Sequence, residues 1–535
     1  MKLALAQINP TVGDFDANRD RIRNAAVKAR DAGADLVVFP ELAVCGYMPR
    51  DLLAEPSFID ACARVVRELA ADSALPPLLV GAPARAGGPG KPLENVAWLM
   101  RGGTAEAIAK QLLPTYDVFD ERRYFRPGPH PPLVTIGGAL LGVTICEDMW
   151  AGAWSRGEYN SDPVAELVAR GAQVLVNLSA SPYAQGKPEL RRSILAGHTK
   201  RHGVPMALCN LVGANDQLVF DGNSCAFDAS GALCAHGAAF TEDLLLTDFT
   251  GRAEPPADDV KDALVLGIRD YFAKTGFEDA IVGLSGGVDS ALTVCLAAEA
   301  LGADHVTGIA MPGPFSAPMS LEDARELAQR LGIGFHVVPI TAQYESARAA
   351  LQEVWGERPF DVAEENLQAR LRGVVLMALA NKNHALVLTT SNKSEFAVGY
   401  STLYGDMVGA LAPLTDLYKG QVYELARRYD MPARILDRPP SAELRPNQTD
   451  QDSLPPYDEL DEILRLHLEE RTPPAGIIEA GHDRDTVMRI LRLVSMAEYK
   501  RQQGPPVLKV TAKAFGLGGR RLPIVERFFG GAPWA

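Results

Sequence analysis

Short apolar runs alternate with longer amphipathic stretches through residues 1–248. Several runs are apolar at every position, which is typical of strands buried on both faces of a sheet. The stretches 18–32 and 188–202, which lie between such runs, have the pattern of helices. The pattern therefore predicts a mixed α/β first half. The predicted strands are Lys2–Ile8, Leu36–Phe39, Leu78–Gly81, Leu141–Ile145, Val174–Asn177 and Met206–Asn210.

The pattern breaks at TGRAEPPADD, a polar stretch with two prolines that predicts an exposed linker over 249–259. Beyond it, strands and helices alternate, which favours a doubly wound parallel sheet. We expect two domains, residues 1–248 and 260–535. The segment Arg438–Pro456 is rich in Pro, Ser, Asp and Gln, and we expect a loop that orders over a site. The predicted strands of the second half are Ala280–Leu284, His305–Ala310, Gly334–Val338 and Ala385–Thr389, with helices over Val260–Lys274 and from Asp289.

Composition narrows the class of protein without identifying it. The 535 residues are 47% hydrophobic and 22% charged, which is ordinary for a soluble globular chain. A net charge of -14 argues against a nucleic-acid partner, and no apolar run is long enough to span a membrane. The N-terminus has no signal-peptide pattern. Seven scattered cysteines without metal-ligand spacing favour a reducing cytoplasm over a disulfide framework.

Three polar residues follow apolar runs in the first half and together suggest nucleophilic chemistry. Glu41 follows DLVVFP, Lys110 ends the run Thr104–Lys110, and Cys146 follows LLGVTI and opens CEDMW. A thiol attacks well only as thiolate, so it needs a base, and a lysine can stabilise both the thiolate and an oxyanion. Taken singly, a cysteine at a strand end is usually a small buried apolar residue, and the two charged residues would be surface groups.

The sequence around these residues resembles that of the nitrilase, or carbon–nitrogen hydrolase, family over residues 1–248. The matching stretches are FPEL, LPTYDVFDERRYFRPG after Lys110, and GVTICEDMW. The resemblance implies an αββα sandwich and a Cys-Glu-Lys amidase, with Cys146 as nucleophile, Glu41 as general base and Lys110 as stabiliser of the tetrahedral intermediate. Likeness to the glutamine-hydrolysing branch implies glutamine contacts, although Lys187 would equally suit a solvated loop. These positions are Tyr116, Glu121, Ser181 and Lys187.

The sequence AIVGLSGGVDS predicts a phosphate-binding loop between a strand and a helix. Adjacent glycines let backbone amides approach an anion, the helix N-terminus adds its dipole, and Asp289 can hold Mg²⁺. The loop lacks the Gly-Lys-Ser/Thr ending of a Walker A motif. It is similar to the signature of N-type ATP pyrophosphatases, which cleave ATP between the α and β phosphates. The loop positions are Gly283, Leu284, Ser285, Gly286, Gly287, Val288, Asp289 and Ser290.

Further stretches resemble the NAD synthetase family, in its glutamine-dependent form, across nearly all of residues 260–525. They include ENLQARLRG, the long stretch from LTTSNKSEFAVGY, and RPPSAELRPNQTDQD. The ammonia-only branch has a lysine where Leu403 aligns, so the dinucleotide contacts in that stretch are open. The implied ATP contacts are Thr390, Lys419 and Ser441; the implied contacts to the deamidated dinucleotide are Asn366, Arg370, Glu395, Asp406 and Lys513; the implied Mg²⁺ ligands are Asp289 and Glu395.

For two of these groups an ordinary interpretation stays open. Asn366 and Arg370 lie one helical turn apart and could form an exposed helix face, and Lys513 could be a surface lysine. The resemblance implies amidation of nicotinic acid adenine dinucleotide (deamido-NAD) with ammonia from L-glutamine and energy from ATP, in a homo-oligomer. Two alternatives remain: another ATP-dependent amidotransferase acting on a different carboxylate, and a nucleotide-binding sensor with a vestigial amidase half.

Overall fold

The computed structural model describes residues 1–151, 159–516, 519–520 and 522–524. The chain divides into two compact units, Met1–Ala263 and Leu264–Ala535. The end of the predicted second domain, residues 525–535, lies outside the described residues. Within the described parts of the chain, no helix is long and apolar enough to cross a membrane.

The first unit contains two six-stranded mixed sheets. Each has three parallel strands at its centre, extended by antiparallel strands. The first sheet has the order β14-β1-β2-β3-β4-β5, with β1 (Leu3–Gln7), β2 (Leu36–Val38), β3 (Leu78–Arg85), β4 (Leu93–Arg101), β5 (Thr104–Ala109) and β14 (Asp243–Thr247). The second has the order β13-β12-β9-β8-β7-β6, with β6 (Val134–Ile136), β7 (Ala139–Ile145), β8 (Val174–Ser179), β9 (Met206–Asn210), β12 (Cys225–Phe227) and β13 (Leu233–His236); β10 (Val212–Asn215) and β11 (Leu218–Asp221) form a separate hairpin.

The two sheets pack face to face between two layers of helices. One core lies between the sheets and includes Leu5 and Val38 from the first and Val143 and Val176 from the second. Because successive strand residues point to opposite faces, the alternate residues of the same strands are buried under helices. This arrangement confirms the αββα sandwich. The helices are α1 (Phe15–Asp31) and α2 (Pro56–Ala71) on the first sheet, and α3 (Pro163–Ala169) and α4 (Lys187–His202) on the second.

The second unit is built on a parallel sheet of order β17-β16-β15-β18, which confirms the doubly wound architecture. The strand order reverses between β15 and β18, and in such sheets ligands bind beyond the strand ends at this point. The strands are β15 (Ala280–Gly283), β16 (Val306–Ala310), β17 (Gly334–Val337) and β18 (Leu386–Leu388). The helices are α5 (Val260–Thr275), α6 (Val288–Leu301), α7 (Pro318–Leu331), α8 (Thr341–Trp355), α9 (Val362–Asn383), α10 (Lys393–Val398), α11 (Lys419–Ala426), α12 (Ala433–Asp437), α13 (Tyr457–Leu468), α14 (Pro474–Glu479), α15 (Arg484–Met496) and α16 (Glu498–Arg501).

Candidate active sites

The first site is organised around the buried ammonium of Lys110. Its Nζ donates to Glu41 Oε1 at 2.7 Å and to Glu121 Oε1 at 2.8 Å. Lys110 follows β5 and Glu41 lies three residues beyond β2, so two strands of one sheet deliver the pair. Burial alone would lower the pKa of Lys110, but Glu121 and Glu41 outweigh it and raise this pKa well above its ordinary value. The lysine is therefore a fixed cation, and two of the predicted catalytic residues are in direct contact.

The two carboxylates beside Lys110 have different surroundings. Glu41 Oε1 also accepts from Asn95 Nδ2 at 2.8 Å, and Glu41 Oε2 accepts from the Ala180 amide at 3.2 Å. Burial raises the pKa of Glu121 to about 7 against the opposing charge of Lys110. Glu121 Oε1 also accepts from the Tyr47 hydroxyl at 3.2 Å, whereas Glu41 is held by donors on both oxygens.

Cys146 sits on a sharp turn directly after β7. Its φ of 44° lies in the left-handed region, and a 3₁₀-helix, Cys146–Trp150, begins at this residue. The side chain is only 3% exposed, and burial with the negative charge of Glu41 raises the pKa of its thiol well above its ordinary value, although Lys110 opposes this. The resting residue is therefore a protonated thiol, which must lose its proton when it attacks.

Asp148 connects the cysteine turn to the chain that follows Lys110. One carboxylate oxygen accepts from the Ile145 amide at 3.0 Å. The other accepts from the amides of Leu112 at 2.8 Å and Gln111 at 3.1 Å. Burial raises the pKa of Asp148 to about 7, opposed by these hydrogen bonds. One carboxylate therefore fixes the residues next to two predicted catalytic groups.

Glu147 is a buried carboxylate beside the nucleophile that sequence reasoning missed. Tyr116 donates from its hydroxyl to Glu147 Oε2 at 2.9 Å, and Tyr159 donates to Glu147 Oε1 at 2.8 Å. Burial raises the pKa of Glu147, while the charge of Lys187 acts in the opposite direction. Tyr116, one of the predicted glutamine contacts, thus contacts this carboxylate directly, and Lys187 acts on it through its charge. The feature of the sequence that pointed to Glu147 was its position directly after Cys146.

Ser181, the remaining predicted glutamine contact, is held from two sides. Its backbone amide donates to Asn210 Oδ1 at 2.9 Å. Arg191 Nη1 donates to its hydroxyl at 3.3 Å, and Arg191 is buried in an ion pair with Asp221. Ser181 and Lys187 belong to one short segment between β8 and the first turn of α4.

The second site lies at the strand-order reversal, where the predicted phosphate loop follows β15. Gly286 has a φ of 82°, and a Cβ there would lie 2.3 Å from Ser320 O, so no side chain fits. The Ser285 and Ser290 hydroxyls are 3.1 Å apart, and the Gly287 amide donates to Ser285 Oγ at 3.3 Å. A cavity of about 300 Å³ opens beside the loop. Predicted ATP residues that line it are Gly283, Leu284, Ser285, Gly287, Val288, Asp289, Ser290, Thr390, Lys419 and Ser441.

Lys419 joins the two predicted metal ligands at this cavity. Its Nζ donates to Asp289 Oδ2 at 2.6 Å and to Glu395 Oε1 at 2.9 Å. Asn392 Nδ2 donates to the other Asp289 oxygen at 2.9 Å. Burial lowers the pKa of Lys419, but Asp289 and Glu395 outweigh it and raise this pKa. Burial raises the pKa of Glu395 to about 7.

The predicted dinucleotide contacts fall into two groups. Glu395 and Asp406 line the cavity, and burial raises the pKa of Asp406 to about 6. Asn366 Oδ1 instead accepts from Thr402 Oγ1 at 2.6 Å, and Arg370 Nε donates to the Leu403 carbonyl at 3.2 Å, so both contact one loop. The described residues that line the cavity do not include Asn366, Arg370, Lys513 or Gly286.

Two arginines at the cavity were missed from the sequence. Arg438 Nη2 donates to the Gly286 carbonyl at 3.0 Å and Arg438 Nη1 donates to Ser320 Oγ at 2.6 Å, which fastens the predicted loop to the phosphate-binding loop. Arg372 lines the cavity, and burial lowers the pKa of its guanidinium. Arg438 is the first residue of the predicted loop, and a basic residue at that position was the feature of the sequence that indicated phosphate binding.

Comparison with known proteins assigns each unit to a family. Residues 2–254 match the carbon-nitrogen hydrolase family and residues 260–504 match the NAD synthase family. The glutamine-dependent NAD(+) synthetase of Synechocystis sp. is 44% identical, with 98% of this chain and 99% of the relative covered. That of Thermotoga maritima is 40% identical, with 99% of both covered. The structure of glutamine-dependent NAD+ synthetase from Acinetobacter baumannii in complex with adenosine diphosphate is 36% identical and covers 98% of both chains with a TM-score of 0.77.

The two family matches, on the fold described above, define a ligase class in which an amide-hydrolysing unit precedes an ATP-using one. Within that class, the chain belongs to the family of glutamine-dependent NAD(+) synthetases.

Proposed function

We propose that the chain converts deamido-NAD to NAD with ATP and with ammonia that it releases from L-glutamine. The observation that carries the proposal is the presence, in one chain, of a buried Glu41–Lys110–Cys146 centre and a phosphate loop at the reversal point of a parallel sheet. We assign glutamine hydrolysis to residues 1–248 and NAD synthesis to residues 260–535, joined by a linker over 249–259.

In the first site, Cys146 attacks the side-chain amide of glutamine. Glu41 accepts the thiol proton, and Lys110 donates to the oxyanion that forms on the amide carbon. Collapse of this intermediate expels ammonia, which takes a proton from Glu41, and leaves a glutamyl thioester on Cys146. Water, deprotonated by Glu41, then releases glutamate and restores the thiol. The buried contact between Lys110 and Glu41 supports this division of roles.

Glu147 gives the first site a group that suits the charged end of glutamine. A buried carboxylate beside the nucleophile complements the α-ammonium, while Lys187 and Ser181 suit the α-carboxylate. Tyr116 and Tyr159 hold Glu147 through their hydroxyls. Glutamine is thereby distinguished from simple amides.

Replacing Glu147 with Gln should raise the KM for glutamine about tenfold or more, because a charge-assisted contact to the ammonium is lost. Glutamate release at varied glutamine concentration measures this, and NAD formation from ammonium should stay at the wild-type rate. Glu189→Gln, an exposed glutamate on α4, is the matched control. An unchanged KM in E147Q would remove Glu147 from the glutamine pocket.

In the second site, the loop amides and Ser285 and Ser290 hold the phosphates of ATP, with Thr390, Lys419 and Ser441 as further contacts. The deamido-NAD carboxylate attacks the α-phosphate and pyrophosphate leaves. Ammonia then displaces AMP to form the amide of NAD. Adenylation is needed because a carboxylate is a poor acyl electrophile. We propose Asn366, Arg370, Glu395, Asp406 and Lys513 as dinucleotide contacts, supported by the cavity position of Glu395 and Asp406.

Asp289 and Glu395 also suit a Mg²⁺ ion. Both present carboxylate oxygens to one cation, the Lys419 ammonium, and hard oxygen donors are what Mg²⁺ prefers. When bound, the ion neutralises charge on the phosphates. The protein itself orients the nucleotide through the backbone amides of the phosphate loop and the side chain of Lys419.

We further propose that the chain works in the cytoplasm and as a homo-oligomer. All seven cysteines are free and buried, as suits a reducing compartment. Val374 and Met377 of α9 are exposed apolar side chains in the second unit, and a second copy of the chain could cover them.

A product assay tests the function. Purified chain with ATP, Mg²⁺, deamido-NAD and either glutamine or ammonium should form NAD, AMP and pyrophosphate in equal amounts. AMP release that another carboxylic acid supports equally well would favour a different amidotransferase. Tight ATP binding without turnover would favour a nucleotide sensor.

A further inference from the structure

The predicted linker is attached to the glutamine pocket through one carboxylate. Asp258 Oδ1 accepts from the Tyr183 hydroxyl at 2.7 Å, and Asp258 Oδ2 accepts from the Gly186 amide at 2.9 Å. Both donors lie in the segment 181–187 that contains Ser181 and Lys187. Asp258 itself lies two residues before the start of α5. The linker therefore supports a substrate-binding segment as well as joining two domains.

The contact with Gly186 caps helix α4. Gly186 occupies the N-cap position with a φ of 78°, and α4 has no side-chain cap hydrogen bond of its own. A carboxylate beside a helix N-terminus accepts from otherwise unpaired amides and complements the helix dipole. Asp258 thus supplies, from 72 residues away in the chain, the cap that the sequence before α4 lacks.

The contact with Tyr183 fixes the middle of the same segment. Tyr183 is fully buried, its amide donates to the Val219 carbonyl at 2.7 Å, and its ring packs edge to face on Phe240 at 5.3 Å. Burial and the charge of Asp258 raise the pKa of Tyr183, so the phenol stays protonated and acts as the donor. Loss of the Asp258 acceptor would leave a buried hydroxyl without this bond.

The capped helix in turn holds the proposed glutamine contacts. Lys187 is the first residue of α4. One turn later, Arg191 Nη1 donates to the hydroxyl and carbonyl of Ser181 at 3.3 and 3.4 Å. A shift in the first turn of α4 would therefore move both residues that we assign to the α-carboxylate of glutamine.

We propose that Asp258 is a positioning residue for the glutamine pocket, supplied by the linker through its bonds to Tyr183 and Gly186. This inference rests on the proposed glutaminase function.

The experiment compares D258A, D258N and Y183F in the full chain, each assayed for glutamate release and for NAD formation from ammonium. We expect D258A to raise the KM for glutamine about tenfold with kcat within about twofold, as loss of charged hydrogen bonds implies. D258N keeps one acceptor oxygen and should lie between D258A and the wild type. Y183F removes only the hydroxyl. The double variant Y183F/D258A should raise the KM for glutamine by a factor smaller than the product of the two single-variant factors.

The matched control is Glu254→Gln, an exposed carboxylate of the same linker, which should behave as wild type. An unchanged KM in D258A overturns the inference, and so does an equal loss of ammonium-dependent synthesis, which would indicate general destabilisation. If D258A does not fold, an unchanged KM in Y183F overturns it. A wild-type chain that releases no glutamate contradicts the proposed function instead, so the two failures are distinguishable.

Discussion

Replacing Cys146 with Ala should abolish NAD formation from glutamine and leave NAD formation from ammonium intact. The thiol is the protein group that bonds to the substrate carbon in our mechanism, so we expect a loss of about 10³-fold or more in glutamate release. Ammonia added to the solution replaces the product of the first site, and the second site contains none of the deleted atoms. The measurement is NAD formed per minute with each nitrogen source under the same ATP and deamido-NAD.

A buried cysteine elsewhere in the first unit provides the control. Cys234 donates to the Ala226 carbonyl at 3.1 Å, and Cys234→Ala removes a similar volume without touching the proposed centre. We expect this variant to keep both activities. Loss of both activities in C146A, with Cys234→Ala unaffected, would show that the two sites are not divided as proposed.

Replacing Asp289 with Ala should stop AMP formation with either nitrogen source. Asp289 belongs to the predicted phosphate loop, lies in the first turn of α6, and accepts from both Lys419 and Asn392. Without it, Lys419 loses one of its two carboxylates, and the proposed Mg²⁺ loses a ligand. Because Lys419 and the proposed Mg²⁺ are then no longer held in place to stabilise charge on the phosphates, we expect a fall of about 10²-fold or more in the rate of AMP release. Pyrophosphate and AMP release at saturating deamido-NAD measure the effect.

The first site supplies an internal control for this variant, since glutamate release should persist in Asp289→Ala. Asp304→Ala, an exposed aspartate after α6, should keep both reactions. AMP formation at the wild-type rate in D289A would remove Asp289 from the nucleotide site.

Features that a short stretch of sequence defines were predicted, whereas most contacts between residues distant in the chain were not. The strands of both parallel centres and the loop after β15 were predicted because a short stretch of sequence defines each of them. The antiparallel strand β4 was missed because its apolar residues are interrupted by polar ones, and β10 to β13 were missed because they are three or four residues long. A short strand is stabilised by its neighbours, which its own residues do not reveal.

The candidate sites show the same division. Glu41 and Lys110 were predicted through their motifs to share one pocket, and the structure shows them in contact, whereas Asp148 and Glu147 acquire their partners only from the folded chain. The partners of Asn366 and Arg370, Thr402 and Leu403, lie more than thirty residues downstream, so periodicity along α9 could not identify them. The roles assigned to all of these residues stay predictions until the variants are assayed.

The ammonium of Lys419 gives the second site a built-in counter-ion. Two carboxylates that would repel each other across an empty cleft instead share one positive charge that the chain itself provides. If Asp289 and Glu395 hold Mg²⁺ as we propose, a free ion would have to compete with that charge, whereas an ion bound to ATP would bring phosphates with which Lys419 could pair instead. We therefore expect the proposed metal to bind together with the nucleotide and not ahead of it.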